Sequence, residues 1–386
     1  MTVATSKRLE GIGEYYFSQK LREIEQLNKQ GKNIINLGIG SPDLPPHPDV
    51  IKVLQEEAEK PNTHAYQSYK GSPVLRKAIA DWYAVWYGVA LDPETEVLPL
   101  IGSKEGIMHI CMTYLNEGDE ALIPNPGYPT YSSAVKLAGG KPVPYEMKEE
   151  NNWEPDFAAL EKTDLSKVKL LWVNYPHMPT GQLPTRSLFE KIVAFGKKHN
   201  ILVCHDNPYS FILNPEPMSL LAMDGAKEVV IELNSLSKSQ NMAGWRVGMI
   251  CAAKERVEEI LRFKSNMDSG MFLPLQLAAA KALGLGKDWY DDINAIYTER
   301  REKVFELLNL LDCEFSRNQV GLFVWAKIPA KYSSGYELSD EVLYQANVFI
   351  TPGGIFGTAG DGYIRISLCG SIERFGEAIR RIRESR

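Results

Sequence analysis

An α/β fold is predicted, with a mostly parallel sheet covered by helices on both faces and a smaller α+β domain beside it. Three observations predict it. From about residue 95, short apolar runs alternate with segments of helical period. Most of those runs are apolar throughout, the pattern of strands buried on both faces. Over the last hundred residues the order changes to a long helix, separated strands and a closing helix, which suits an α+β unit. The division that follows is a large domain over 46–285 and a small domain made of 1–45 plus 286–386.

Taken in order, EVLPLIG (96–102) reads as a strand, followed by a helix on which Ile107, Ile110, Cys111 and Tyr114 share one face at i, i+3, i+4 and i+7. EALIP is the next strand, and a helix follows Pro126-Gly127. KPVPYEM, KVKLLWVNYP, NILVCHD, EVVIELNSLS and GMICAA are further strands. The stretch Thr185–His199 is a helix with Leu188, Ile192 and Phe195 on one face. A long helix is expected from Asp291 to about Leu311, then strands near Gly321–Ile328 and Tyr363–Leu368, and an amphipathic helix from Ser371. Residues before about 45 stand outside the alternation and are expected to pack with the small domain.

Composition narrows the function. The 386 residues are 44% hydrophobic and 24% charged, as expected of a globular chain able to bury a large core. A net charge of −6 without a basic run offers no electrostatic footprint for nucleic acid or an anionic membrane. No segment approaches the roughly 18 apolar residues of a membrane span. The N-terminus, MTVATSKRLEGIGEYYF, lacks the apolar stretch of a signal peptide. Five dispersed cysteines (Cys111, Cys204, Cys251, Cys313, Cys369) form no CxxC pair, so neither a disulfide framework nor a metal site is indicated. They read as reduced thiols of a cytoplasmic protein.

In doubly wound sheets ligands sit beyond the carboxyl ends of the strands, so the residues after each apolar run carry the chemistry. After EVVIELN come Ser235, Ser237 and Lys238, then Gly244-Trp245-Arg246. A lysine there, with hydroxyls beside it and an arginine eight residues on, has the makings of a Schiff-base amine among phosphate ligands. The ordinary use of such a lysine is a solvated loop. Asp206 follows NILVCH, with Tyr209 three residues on; such a carboxylate can cap a turn or pair with a protonated pyridine nitrogen. Gly102-Ser103-Lys104 open a helix, whose N-terminal amides form an anion site or merely cap the helix. Asn174-Tyr-Pro-His-Met-Pro-Thr-Gly181 is a turn fixed by prolines and glycine. Arg365 lies in an otherwise apolar strand and needs a partner, either an internal carboxylate or a substrate carboxylate.

These residues also resemble a family. SLSKSQNMAGWRVG is similar to the lysine signature of the class I/II aminotransferases, the fold type I pyridoxal-phosphate enzymes, with the aspartate aminotransferases as the most similar branch. Tyr66-Gln-Ser-Tyr-Lys-Gly71-Ser-Pro-Val-Leu75-Arg76, the turn at Asn125–Pro129, DNPY, YPHMPTG and YIRIS follow in the family's order, from about Ile35 to the C-terminus. The resemblance implies a seven-stranded-type sheet and pyridoxal 5'-phosphate as cofactor. It implies that Lys238 forms the Schiff base and shuttles the proton, that Asp206 keeps the pyridine nitrogen protonated, and that Tyr209 bonds the phenolate oxygen. Tyr128 would stack on the ring, and Asn174 belongs with the cofactor-binding set. Ser103 and Lys104 (through backbone N–H), Ser235, Ser237 and Arg246 would cradle the phosphate. Arg365 would clamp the substrate carboxylate, helped by the backbone at Gly40. Tyr66 would reach the cofactor phosphate of a neighbouring subunit, which implies a homodimer with shared sites.

The implied reaction moves an amino group between an L-amino acid and a 2-oxo acid. Aspartate with 2-oxoglutarate is the expected pair; a diaminopimelate-type aminotransferase and a carbon–sulfur β-lyase are the alternatives. Tyr15, Tyr16 and Phe17 sit where N-terminal segments of some relatives cover the substrate; packing of an aromatic helix face is the plainer use. One departure stands out: the family usually has asparagine before Pro-Thr-Gly, and here the residue is Met178. Methionine cannot donate a hydrogen bond. Asn174 and His177 are the nearest groups able to compensate, and a binding protein without activity is the reading that this departure leaves open. A DNA-binding regulator built on the same domain is disfavoured, since the first 34 residues are too few for its module and carry no basic recognition helix.

Overall fold

The computed structural model describes residues 3–14 and 16–386. The first elements are helix α1 (Tyr16–Lys29), the short strand β1 (Ile35–Asn36), and helices α2 (Pro48–Ala58) and α3 (Pro73–Tyr87). The alternating region runs β2 (Val97–Leu100), α4 (Ser103–Tyr114), β3 (Glu120–Asn125), α5 (Pro129–Leu137) and β4 (Lys141–Glu146). It continues through the single turn α6 (Phe157–Leu160), β5 (Val168–Asn174), α7 (Arg186–His199), β6 (Leu202–Asp206), β7 (Val230–Ser235) and β8 (Gly248–Ala252). Helices α8 (Lys254–Lys264), α9 (Leu273–Leu283) and α10 (Lys287–Leu310) then lead to β9 (Phe323–Lys327) and α11 (Gly335–Ala346). Short strands β10 (Val348–Phe349) and β11 (Thr351–Pro352), then β12 (Tyr363–Ser367) and α12 (Ile372–Ser385), complete the chain.

The seven-stranded sheet has the order β2-β8-β7-β6-β5-β3-β4. Only β8 runs antiparallel to its neighbours, β2 and β7; the remaining pairs are parallel. Its inner strands β7 and β8 are buried at every position, which is why they read as unbroken apolar runs. Beside it, β12 pairs antiparallel with both β11 and β9, and β1 pairs parallel with β10. The segment before residue 45 therefore packs with C-terminal elements, because Ile35 and Asn36 add a strand there and Ile24 and Ile34 cluster with Leu343 and Phe349.

Local signals explain the helix limits. Thr185 accepts from Leu188 N at the start of α7, and Asn200 closes it in a left-handed conformation. On α12 the buried residues Phe375, Ala378, Ile379 and Ile382 follow the i, i+3, i+4, i+7 rule. The long helix α10 starts at Lys287, one turn before the expected Asp291. Burial of Tyr290 and the Lys287–Asp291 pair favour that extra turn, which depends on packing that periodicity does not register.

Candidate functional site

A cavity of about 420 Å³ opens at the carboxyl ends of β5, β6 and β7 and is bounded on its other side by Phe323 of β9 and Arg365 of β12. Gly40, Ser103, Lys104, Tyr128, Asn174 and Asp206 line it. So do Tyr209, Ser235, Ser237, Lys238, Arg246 and Arg365. Strand ends that are distant in sequence thus meet in one place, because parallel strands of one sheet present their carboxyl ends on one edge.

Lys238 follows β7 in a turn where Ser237 N donates to Ser235 Oγ at 3.2 Å. Its Nζ donates to the carbonyl of Gly40 at 2.6 Å and stands 5.9 Å from the centre of the Tyr209 ring. Burial pushes the ammonium below the usual lysine range; Arg365 and Arg246 add to that, while Cys369 and Asp206 oppose it. Gly40 can approach only as glycine, since a Cβ there would lie 2.2 Å from Phe323 Cζ.

Asp206 ends β6 and is 5% exposed. Its Oδ2 accepts from the Tyr131 hydroxyl at 2.8 Å, whereas Oδ1 is buried with no hydrogen-bond partner among the described residues. Burial raises the carboxyl from 3.8 to about 6, against the pull of Tyr131, His205 and Lys238. The Asp206 carbonyl accepts from Asn174 Nδ2 at 2.6 Å, and Asn174 Oδ1 accepts from Met178 N at 2.8 Å. That amide therefore braces the turn against the neighbouring strand. His177 is bonded to Thr180 Oγ1 at 2.8 Å, and burial lowers it to about 3, so it is a neutral ring outside the cavity lining.

At one end of the cavity, α4 begins at Ser103 with Gly102 at its N-cap and no side chain capping it, and Ser103 and Lys104 of its first turn line the cavity. Gly102 has φ +83°, and a Cβ there would meet Arg246 Nη2 at 2.2 Å and Cζ at 2.7 Å, so the guanidinium packs closely against the glycine. Arg246, itself left-handed at φ 57°, donates from Nη1 to the Ala243 carbonyl at 3.0 Å. Ser235 and Ser237 flank the same end.

At the other end, Arg365 Nη2 donates to the Gly38 carbonyl at 2.8 Å and Nη1 lies 3.4 Å from Met178 Sδ. Its guanidinium carbon is 3.8 Å from the Phe323 ring centre, 4.5 Å from that of Phe356 and 5.8 Å from that of Phe17. Such a ring-walled guanidinium is held planar and desolvated, ready for a carboxylate fork. Of the three N-terminal aromatics, Phe17 lines the cavity, Tyr16 packs edge-on against Tyr336, and Tyr15 lies outside the described residues.

Tyr66 is not among the lining residues; it is 90% exposed. One hydroxyl donor escaped the sequence reading. Tyr131, stacked on Trp172 at 4.9 Å and 13°, supplies the hydroxyl to Asp206. It stands one helical turn after Tyr128, a spacing that would have suggested a second group aimed at the same edge. Met178 was noted as a missing donor, whereas its contact with Arg365 comes from the tertiary structure alone.

The model of the family described as aminotransferase class I and II matches residues 32–382. An LL-diaminopimelate aminotransferase of Dehalococcoides mccartyi is 42% identical over 379 residues, covering 98% of this chain and 97% of that protein. One from Aquifex aeolicus is 40% identical over 380 residues, covering 98% of each. Among solved structures, substrate-bound BacF of Bacillus subtilis superposes with a TM-score of 0.93 at 36% identity, covering 100% of this chain and 98% of that one. A Thermus thermophilus aspartate aminotransferase mutant shares the fold with a TM-score of 0.92 at 23% identity, covering 100% of both chains. With the family model and these full-length relatives in agreement, the chain belongs to the class I and II aminotransferases.

Proposed function

We propose that this aminotransferase uses pyridoxal 5'-phosphate, held covalently by Lys238, to exchange an amino group between an amino acid and a 2-oxo acid. The observation that carries the reading is the orphaned Asp206 Oδ1, buried in the same cavity as the Lys238 amine. A buried carboxylate oxygen without a partner is costly, and a protonated ring nitrogen is a group that would satisfy it. The glycine cradle at Gly102, with Arg246, Ser235, Ser237 and the α4 amides, suits a phosphate dianion.

Bound there, the cofactor supplies an aldehyde for the amine and an electron sink for the pair left when the substrate Cα–H bond breaks. The Lys238 amine would hold the cofactor and serve as the base that takes the substrate Cα proton and returns it, work for which its lowered basicity suits it. Asp206 would hold the proton on the ring nitrogen, Tyr209 would donate to the phenolate oxygen, and Tyr128 would cover a ring face; all three line the cavity. Asn174 keeps the Asp206 and Met178 backbones in register. Arg365 fixes the substrate carboxylate with the Gly40 segment beside it.

The same reading takes 46–285 as the large domain and 1–45 plus 286–386 as the small one, supported by the separate β1–β10 and three-stranded sheets. It takes the protein as a homodimer in which the exposed Tyr66 serves the other subunit's phosphate site, and as cytoplasmic, in keeping with five unpaired cysteines. No described helix is long and apolar enough to cross a membrane. For the donor, the names of the full-length relatives favour a diaminopimelate-type substrate over the aspartate expected from the motifs alone.

The test is borohydride reduction of the reconstituted full chain followed by peptide mass mapping. An adduct on Lys238 is expected; a chain that takes up cofactor without one refutes the reading. Conversion of LL-diaminopimelate and of aspartate with 2-oxoglutarate as acceptor then ranks the two donors.

A further inference from the structure

Directly behind Asp206 lies a polar group that the reaction does not use. His205 and Glu232 face each other across β6 and β7, and both are 0% exposed. His205 Nδ1 is 2.8 Å from Glu232 Oε2, and Nε2 is 3.0 Å from the carbonyl oxygen of Tyr175. Glu232 Oε2 also accepts from Leu220 N at 2.9 Å. Its Oε1 is 3.0 Å from the Tyr83 hydroxyl, and Ser219 Oγ is 2.9 Å from both oxygens.

The hydrogen-bond inventory constrains the protons. A carbonyl oxygen only accepts, so Nε2 carries hydrogen. A carboxylate receiving an amide and two hydroxyls is stabilised as the anion and likewise only accepts, so Nδ1 carries hydrogen too. We propose that His205 is a buried imidazolium, locked by Glu232 and the Tyr175 carbonyl, and that it acts as a positioning residue whose charge keeps the adjacent Asp206 ionised for the ring nitrogen. An isolated charge could not survive here; the paired and fully hydrogen-bonded one can.

The other groups facing this pair are phenols and a thiol. Tyr83 and Tyr87 stand on the α3 side and Cys251 on β8, and burial raises all three well above their usual ranges, so each is neutral. Tyr175 uses its hydroxyl on the Trp153 carbonyl. On the far side, Asp206 is met by Tyr131 and by Lys238. Among the described residues, the cation set against Glu232 inside this part of the sheet is therefore His205, and Asp206 has His205 on one side and Lys238 on the other.

The consequence for Asp206 rests on the cofactor reading above, whereas the charge of His205 does not. The full chain with ¹⁵N-labelled histidine and ¹³C-labelled aspartate, studied by NMR without cofactor, separates the two. His205, assigned by its loss in His205→Gln, is expected to show two protonated ring nitrogens at pH 7. The Asp206 carboxyl midpoint is expected to move up by roughly one pH unit in both His205→Gln and Glu232→Gln. A singly protonated ring in the wild-type protein, which needs no variant, overturns the proposal. So do folded variants whose midpoint stays at the wild-type value. Absence of a borohydride adduct would instead strike the cofactor reading and leave the imidazolium standing.

Discussion

Tyr131→Phe removes one oxygen from the site and little else. The ring stays stacked on Trp172 at 4.9 Å, so packing is conserved while Asp206 Oδ2 loses its 2.8 Å hydroxyl donor. A hydrogen bond to a charged group is worth about 1.5–3 kcal/mol net, and 1.36 kcal/mol is one pKa unit. The Asp206 carboxyl should therefore rise from about 6 by roughly one to two units. At pH 7.5 the ratio of ionised to neutral carboxyl would fall from roughly thirty to one to somewhere between about three to one and one to three. Fewer molecules can then pair with a protonated ring nitrogen, so pyridoxal phosphate affinity should fall at pH 7.5 and recover at higher pH. The measurements are the ¹³C titration of Asp206 in the cofactor-free chain and cofactor binding by fluorescence from pH 6 to 9. A variant with the wild-type melting temperature and an unmoved Asp206 midpoint would refute the claim that this phenol sets the charge.

The same carboxyl links stability to pH. Its folded value of about 6 exceeds the ordinary 3.8, so the folded chain holds the proton more tightly. Stability of the cofactor-free protein should thus fall as pH rises from about 4 to about 6, by roughly 3 kcal/mol from this group, and be insensitive to it above. Asp206→Asn should flatten that part of a melting-temperature profile, and a variant tracking the wild type would count against it. Gly102→Ala places a Cβ 2.2 Å from Arg246 Nη2 at φ +83°, a strain of about 1–3 kcal/mol; cofactor or inorganic phosphate should bind at least tenfold more weakly in a chain of near-normal melting temperature. Met178→Asn restores a donor beside Arg365, and the pH midpoint of the bound cofactor's absorbance should drop by roughly one unit. An unmoved midpoint would mean that Tyr209 alone sets it.

Much of this protein was legible from residue order. Apolar runs set the strands, and the groups just beyond them (Ser103, Asn174, Asp206, Lys238) meet in one cavity because parallel strands end on one edge. Periodicity does not carry side-chain direction or inter-strand register. It therefore placed Asp206 without Tyr131, put the start of α10 a turn late, and could not choose among the three N-terminal aromatics. Donor preference was also beyond it, since the positions of the loops and helices around the cavity follow from packing; the motifs suggested aspartate, and the relatives' names lean to diaminopimelate. His205 and Glu232, 27 residues apart, carry no sign in the sequence that they belong together, each lying among apolar residues of a different buried strand. Only the register that sets them opposite each other makes them a pair, because burying a charge costs far less where a counter-charge lies within hydrogen-bonding distance.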